Sequence, residues 1–146
     1  MNDRVADVSD IPSTLEHLLG ERPVPGLMSV YLFGSQAEGR AHRESDVDLG
    51  VLLDRRAYAT REARFSERVR LTAWAVGALH RNAVDVVVLN DAPPGLGRHI
   101  VTTGRRVYYR DAELDHAFVR DVQLRAADLE PFLRRARRIK LDALAR

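Results

Sequence analysis

The sequence predicts an α/β fold: a mixed sheet whose first three strands lie in the order one, two, three, with helices at the C-terminus. Three observations carry this. Short apolar runs with period-two alternation recur near residues 27–33, 46–53 and 83–89. The stretch between the first two runs is too short for a comfortable parallel crossover, whereas a helix-length stretch separates the second from the third. Finally, 146 residues with 45% hydrophobic and 30% charged composition suit one soluble domain with a genuine core.

A first helix is expected through Leu15, Leu18 and Leu19, with Ser9 or Asp10 near its start, Pro12 in its first turn and Gly20 just past its end. Pro23, Pro25 and Gly26 stop it, and the first strand then ends at Gly34-Ser35. In the second strand Val47, Leu49, Val51 and Leu53 share one face, while Asp46, Asp48 and Gly50 share the other, so one face packs and the other carries charge. Phe65, Val69, Ala73 and Val76 recur at helical spacing within 60–79 and mark a crossover helix. Val84, Val86 and Val88 of the third strand lie opposite Asp85, and 90–95 reads as a loop. A short helix near 96–102 and a strand near 107–109 follow, with Gly104 between them. From Ala112 onward two helices are expected, interrupted at Pro131, with Asp128 capping the second. Residues 1–110 thus form the core and 111–146 a helical extension of the same domain.

The 23 basic and 21 acidic residues leave a formal charge of +2, too small to argue for a general nucleic-acid or membrane binder. Lys140 is the only lysine, a bias that base composition of the gene explains as well as function does. No cysteine is present, which excludes disulfides, thiolate metal sites and a cysteine nucleophile. No apolar run approaches membrane-spanning length and no leader-like start is evident, so a cytoplasmic location is the expectation.

The chemistry concentrates between residues 34 and 48. Gly34 followed by Ser35 offers backbone N–H groups and a hydroxyl to phosphate oxygens, and the Asp46-Val47-Asp48 pair offers hard oxygen ligands to a divalent metal. If strands one and two are antiparallel and two and three parallel, Asp46, Asp48 and Asp85 meet at one sheet end beside Ser35. Same-face residues rise about 6.6 Å along a strand, so the carboxylates can converge on metals about 3.5–4 Å apart. Three such carboxylates repel one another without a cation, and Mg²⁺ is the expected neutraliser. The fitting reaction is in-line attack by a hydroxyl on the α-phosphorus of a nucleoside triphosphate, with pyrophosphate leaving. Gly34 and Ser35 would grip the β- and γ-phosphates, and Asp85 would help the acceptor lose its proton.

Gly34-Ser35, the ten residues to Ser45, and Asp46-Val47-Asp48 resemble the signature of the DNA polymerase β-like nucleotidyltransferase superfamily, and Asp85 resembles its third carboxylate. The short chain, Asn90-Asp91-Ala92-Pro93-Pro94 and Gly104-Arg105-Arg106-Val107-Tyr108 are similar to the minimal nucleotidyltransferase (MNT) branch, and 127–131 to its antitoxins. The resemblance implies the polymerase β-like fold, two Mg²⁺ ions, ATP as substrate and a HEPN-domain ribonuclease toxin as protein partner. It also implies transfer of AMP to a tyrosine of that toxin. The residues alone support nucleotidyl transfer only.

Plainer readings stand beside these. Gly-Ser alone is usually a turn, and Asp-x-Asp alone a solvated strand end; their order with Asp85 is what carries information. Arg40, His42 and Arg43 lie in the loop between the cradle and the carboxylates, where they could contact triphosphate oxygens, though loop arginines are more often solvated. His17, His80, His99 and His116 show no ligand-like spacing, Trp74 suits core or interface, and no aromatic platform favours direct nucleic-acid binding. The apolar positions Phe132, Leu133, Ile139, Leu141 and Leu144 must bury against the domain or another chain. Neutralisation of a toxin by binding alone, with vestigial carboxylates, and nucleotidyl transfer to a small molecule such as an aminoglycoside remain open alternatives.

Overall fold

The computed structural model describes residues 11–34, 46–81 and 83–145. In chain order they form α1 (Ile11–Glu21), β1 (Leu27–Phe33), β2 (Val47–Leu53), α2 (Arg61–Leu79), β3 (Val84–Val88), α3 (Pro94–Thr103), β4 (Arg105–Tyr109) and α4 (Ala112–Leu144). The four strands make one sheet in the order β3-β2-β1-β4. β1 runs antiparallel to β2 and β4, and β2 runs parallel to β3. The expected order one, two, three is therefore present, with β4 added beyond β1. Helix α2 supplies the crossover that a parallel pair requires.

Both faces of the sheet are covered. On one, Leu15 and Leu19 of α1 and Leu71, Ala75 and Leu79 of α2 pack over Val30, Leu32, Val47, Leu49, Val51, Leu53 and Val86. On the other, Ile100 of α3 with Phe118 and Val119 of α4 packs over Met28, Tyr31, Leu52 and Leu89. Within β2 the one charged residue is Asp48, near its start. Further along, Gly50 lies so close to α3 that a Cβ there would stand 2.8 Å from Ile100 Cγ2. The Asn90 side chain prolongs the β2–β3 ladder, accepting from Leu53 N and donating to Leu53 O, each at 2.9 Å.

Three helical expectations are corrected. α1 continues through Gly20 to Glu21 rather than stopping before it. α2 is rotated relative to its most hydrophobic stripe: Leu71, Ala75 and Leu79 are buried, whereas Phe65 and Val69 are 60% and 55% exposed. Trp74 of the same helix packs against the core. The two C-terminal helices are one, α4, capped by Asp111, whose side chain accepts from Glu113 N and Leu114 N, and not by Asp128. Pro131 sits inside it. Proline removes a single i→i−4 bond, and in this exposed stretch water can serve the released carbonyl.

The first half of α4 is held by a buried polar cluster. Asp115, 1% exposed, accepts hydrogen bonds from Ser29 Oγ and Tyr31 Oη at 2.7 Å and from Arg106 Nη1 at 2.5 Å. Burial alone would raise the Asp115 carboxyl, but these donors and the Arg106 charge hold it below the usual carboxylate range. Burial and the Asp115 acceptor push the Tyr31 hydroxyl upward. Among the described residues no helix is long and apolar enough to cross a membrane.

Candidate active site

The antiparallel β1–β2 register pairs Phe33 with Asp48, and the parallel β2–β3 register pairs Asp48 with Asp85. Gly34 at the end of β1, Asp48 on β2 and Asp85 on β3 therefore stand side by side across three strands, with Asp46 just before β2. Gly34 has φ +72, and a Cβ on it would lie 2.5 Å from Asp48 Oδ2. Glycine is required there twice over, for the left-handed backbone and for the carboxylate against it. Ser35, with Arg40, His42 and Arg43, lies outside the described residues.

Partial burial pushes the Asp48 carboxyl above its ordinary range, and the charges of Asp85 and Asp46 push it further. Asp85 Oδ1 is 3.6 Å from Arg68 Nη2 of α2, an ion pair between partly exposed side chains. Among the described residues no three His, Cys, Asp or Glu side chains are already grouped as metal ligands. The donor set nevertheless suits a divalent cation: hard oxygens only, with a carboxylate whose like-charged neighbours oppose its ionisation.

Two features escaped sequence reasoning. Arg68 reaches Asp85 from a helix position that looks like an ordinary solvated one. A groove of about 570 Å³ also runs between α2, the outer side of β3 and the start of α3, lined by Phe65, Arg68, Val87, Asp91 and Leu96 among others. The exposed Phe65 marks this groove in the structure, whereas helical periodicity in the sequence assigns Phe65 to the core. Among the described residues, His17 stands beside Glu21 on α1 and His80 is the left-handed C-cap of α2, so neither joins the site.

A family model for polymerase beta, nucleotidyltransferase, matches residues 15–113. The chain belongs to this nucleotidyltransferase family. This nucleotidyltransferase is 35% identical over 85 residues to the protein adenylyltransferase MntA of Shewanella oneidensis, a match covering 58% of the chain and little more than half, 56%, of that relative. Its fold is similar to a chain from a crystallised toxin–antitoxin with AMP-PNP, with TM-score 0.65, 26% identity, and coverage of 93% of this chain and 99% of that one. A chain from a Shewanella oneidensis complex of tri-AMPylated HEPN toxin with MNT antitoxin shares the fold, with TM-score 0.60, 22% identity, and coverage of 93% and 100%.

Proposed function

We propose that this nucleotidyltransferase is an antitoxin that transfers AMP from ATP to a tyrosine of a HEPN-domain ribonuclease toxin. The observation that carries this reading is the lateral alignment of Gly34, Asp48 and Asp85 at one sheet end. Similarity to the adenylyltransferase MntA supports the choice of AMP and of a protein acceptor.

In this reading Gly34 and Ser35 hold the β- and γ-phosphates, so the α-phosphorus lies over Asp46 and Asp48. These two with Asp85 would hold two Mg²⁺ ions, which when bound offset phosphate charge and make the attacking hydroxyl more acidic. Asp48, crowded by its neighbours, gains most from that neutralisation. Asp85, on the far side of Asp48 from Gly34, meets the acceptor and takes or relays its proton. The tyrosine oxygen forms a bond to the α-phosphorus as the bond from that phosphorus to the bridging oxygen of pyrophosphate breaks. ATP as donor and a ribonuclease as acceptor suit a cytoplasmic protein.

The reading expects an adjacent reading frame for a small helical protein carrying Arg, four intervening residues, then His-x-Tyr. Incubating that protein with the antitoxin, ATP and Mg²⁺ should raise its intact mass by one or more AMP units on tyrosine. The increase should disappear with Asp46→Asn/Asp48→Asn. An unmodified toxin that is still neutralised by this double variant would replace catalysis with binding alone.

A further inference from the structure

We propose that the groove along the outer edge of β3 docks the acceptor protein, which lies there as an extended segment and delivers its hydroxyl to Asp85. The inference rests on the AMP-transfer reading and adds where the substrate enters.

In-line displacement puts the attacking oxygen and departing pyrophosphate on opposite sides of the α-phosphorus. The phosphate-holding Gly34 lies on the β1 side of Asp48 and Asp85 lies on the β3 side. Two strand spacings, about 10 Å, separate those ends. The acceptor therefore arrives over β3, the edge strand. The groove begins there: Arg68, one of its lining residues, is the ion-pair partner of Asp85, and Val87 lies two residues further along the strand.

The backbone of this edge is available for pairing. Val47 N donates to Ala83 O, and Leu89 N donates to Val51 O. Parallel-ladder alternation then turns Ala83, Asp85, Val87 and Leu89 toward β2, and the N–H groups of Val84, Val86 and Val88 outward. Among the described residues no strand occupies that outer side. An extended peptide can take it by strand addition, with its side chains in flanking pockets.

The groove walls favour such a segment over a polyanion. The two arginines that line the groove face carboxylates, Arg61 with Nε 3.9 Å from Asp91 Oδ1 and Arg68 with Nη2 3.6 Å from Asp85 Oδ1, so their charge is partly matched. Between these charged rims, with Glu62 and Ser66, the groove presents Phe65, Val87 and Leu96, Phe65 60% and Leu96 39% exposed. Solvent-facing apolar side chains beside an unpaired strand edge are a liability that natural sheets ordinarily cover or charge. An acceptor segment supplies the cover.

The test compares wild type with Phe65→Ser/Leu96→Ser, using the full-length HEPN toxin from the adjacent reading frame and ATP with Mg²⁺. Both changes are at exposed positions, and equal melting temperatures establish that the variant is folded. The KM for toxin should rise at least tenfold while the KM for ATP stays within twofold. In a complex of toxin with the Asp48→Asn protein, the amides of Val84 and Val86 should exchange at least tenfold more slowly than in the free protein. An unchanged KM for toxin with unprotected amides overturns the groove while leaving AMP transfer standing. A raised KM for ATP instead makes the groove a nucleotide pocket and also overturns the proposal. If wild type leaves the toxin unmodified, the AMP-transfer reading falls and the acceptor route falls with it.

Discussion

Gly34 and Asp48 constrain each other at the level of single atoms. Alanine at 34 would need the left-handed backbone, costing about 1–2 kcal/mol, and would press its Cβ against Asp48 Oδ2. Gly34→Ala is therefore expected to lower the melting temperature by several degrees and the proposed AMP transfer by at least tenfold, read by calorimetry and by intact mass. Asp48→Asn should separate stability from activity. Because the Asp48 carboxyl is raised in the fold, its ionised form is less favourable there than in the unfolded chain. That penalty is absent below the ordinary carboxylate pKa and grows as pH rises through the folded value, so at neutral pH it is fully present. Asp48→Asn removes it, and the variant should melt higher than wild type at pH 7 without Mg²⁺ while losing AMP transfer. A lower melting temperature would mean that Asp48 is a structural acceptor rather than a crowded anion. The neighbourhood of Asp48 was legible in the sequence because two loop lengths determine which strand ends are adjacent. The Arg68 contact was not, since a helix rich in arginines does not reveal which one faces the sheet end.

Elements show why hydrophobic periodicity can locate a helix and still misorient it. α2 offers two stripes, one through Phe65 and Val69 and another through Leu71, Ala75 and Leu79, and only the second is buried. The stripe through Phe65 lost because Leu71, Ala75 and Leu79 bury together with Trp74 against the core, which turns Phe65 and Val69 outward. α4 fails the opposite rule: Pro131 is a breaker in principle, yet one lost hydrogen bond on an exposed helix does not end it. What secures α4 is Asp115, invisible to a pattern reading that expects charge outside. Asp115→Asn keeps the shape but loses the charge on which Arg106, Ser29 and Tyr31 converge, costing about 3 kcal/mol near neutral pH. The folded Asp115 pKa is depressed, so its contribution is present above the unfolded value of about 3.9 and lost as pH falls through the folded value. Thermal melts from pH 7 to pH 2 should show wild type losing its advantage over Asp115→Asn across that acid window. A constant gap would assign the effect to packing.

At the scale of the whole molecule, the domain and the chain do not end together. The last buried residues of α4 are Val122 and Ala126, whereas Phe132, Leu133, Ile139, Leu141 and Leu144 are exposed. Sequence reasoning required that apolar positions such as these be buried, and the domain does not bury them. From Ala126 to the end of α4 the helix extends about 27 Å at 1.5 Å per residue, and an ion pair of 3.6 Å between Glu130 and Arg98 ties it to α3. Partly exposed pairs of this kind contribute about 0–1 kcal/mol. The first half of α4, by contrast, sends Phe118 and Val119 into the second core and anchors Asp115. The energetic boundary is therefore expected inside α4, near Ala126. Deleting residues 134–146 should shift the melting temperature by no more than about 2 °C, since only solvent-facing positions are lost and changes below 0.5 kcal/mol are typical there. ATP affinity should be unchanged, because the removed segment lies beyond the residues that fix the sheet end. Deleting from residue 112 onward should instead unfold the protein, by uncovering the face that holds Tyr31 and Ile100. Circular dichroism melts of the two truncations decide the matter: equal destabilisation would mean that the outer half of α4 packs on the domain, while a large difference places the end of the cooperative unit midway along the helix.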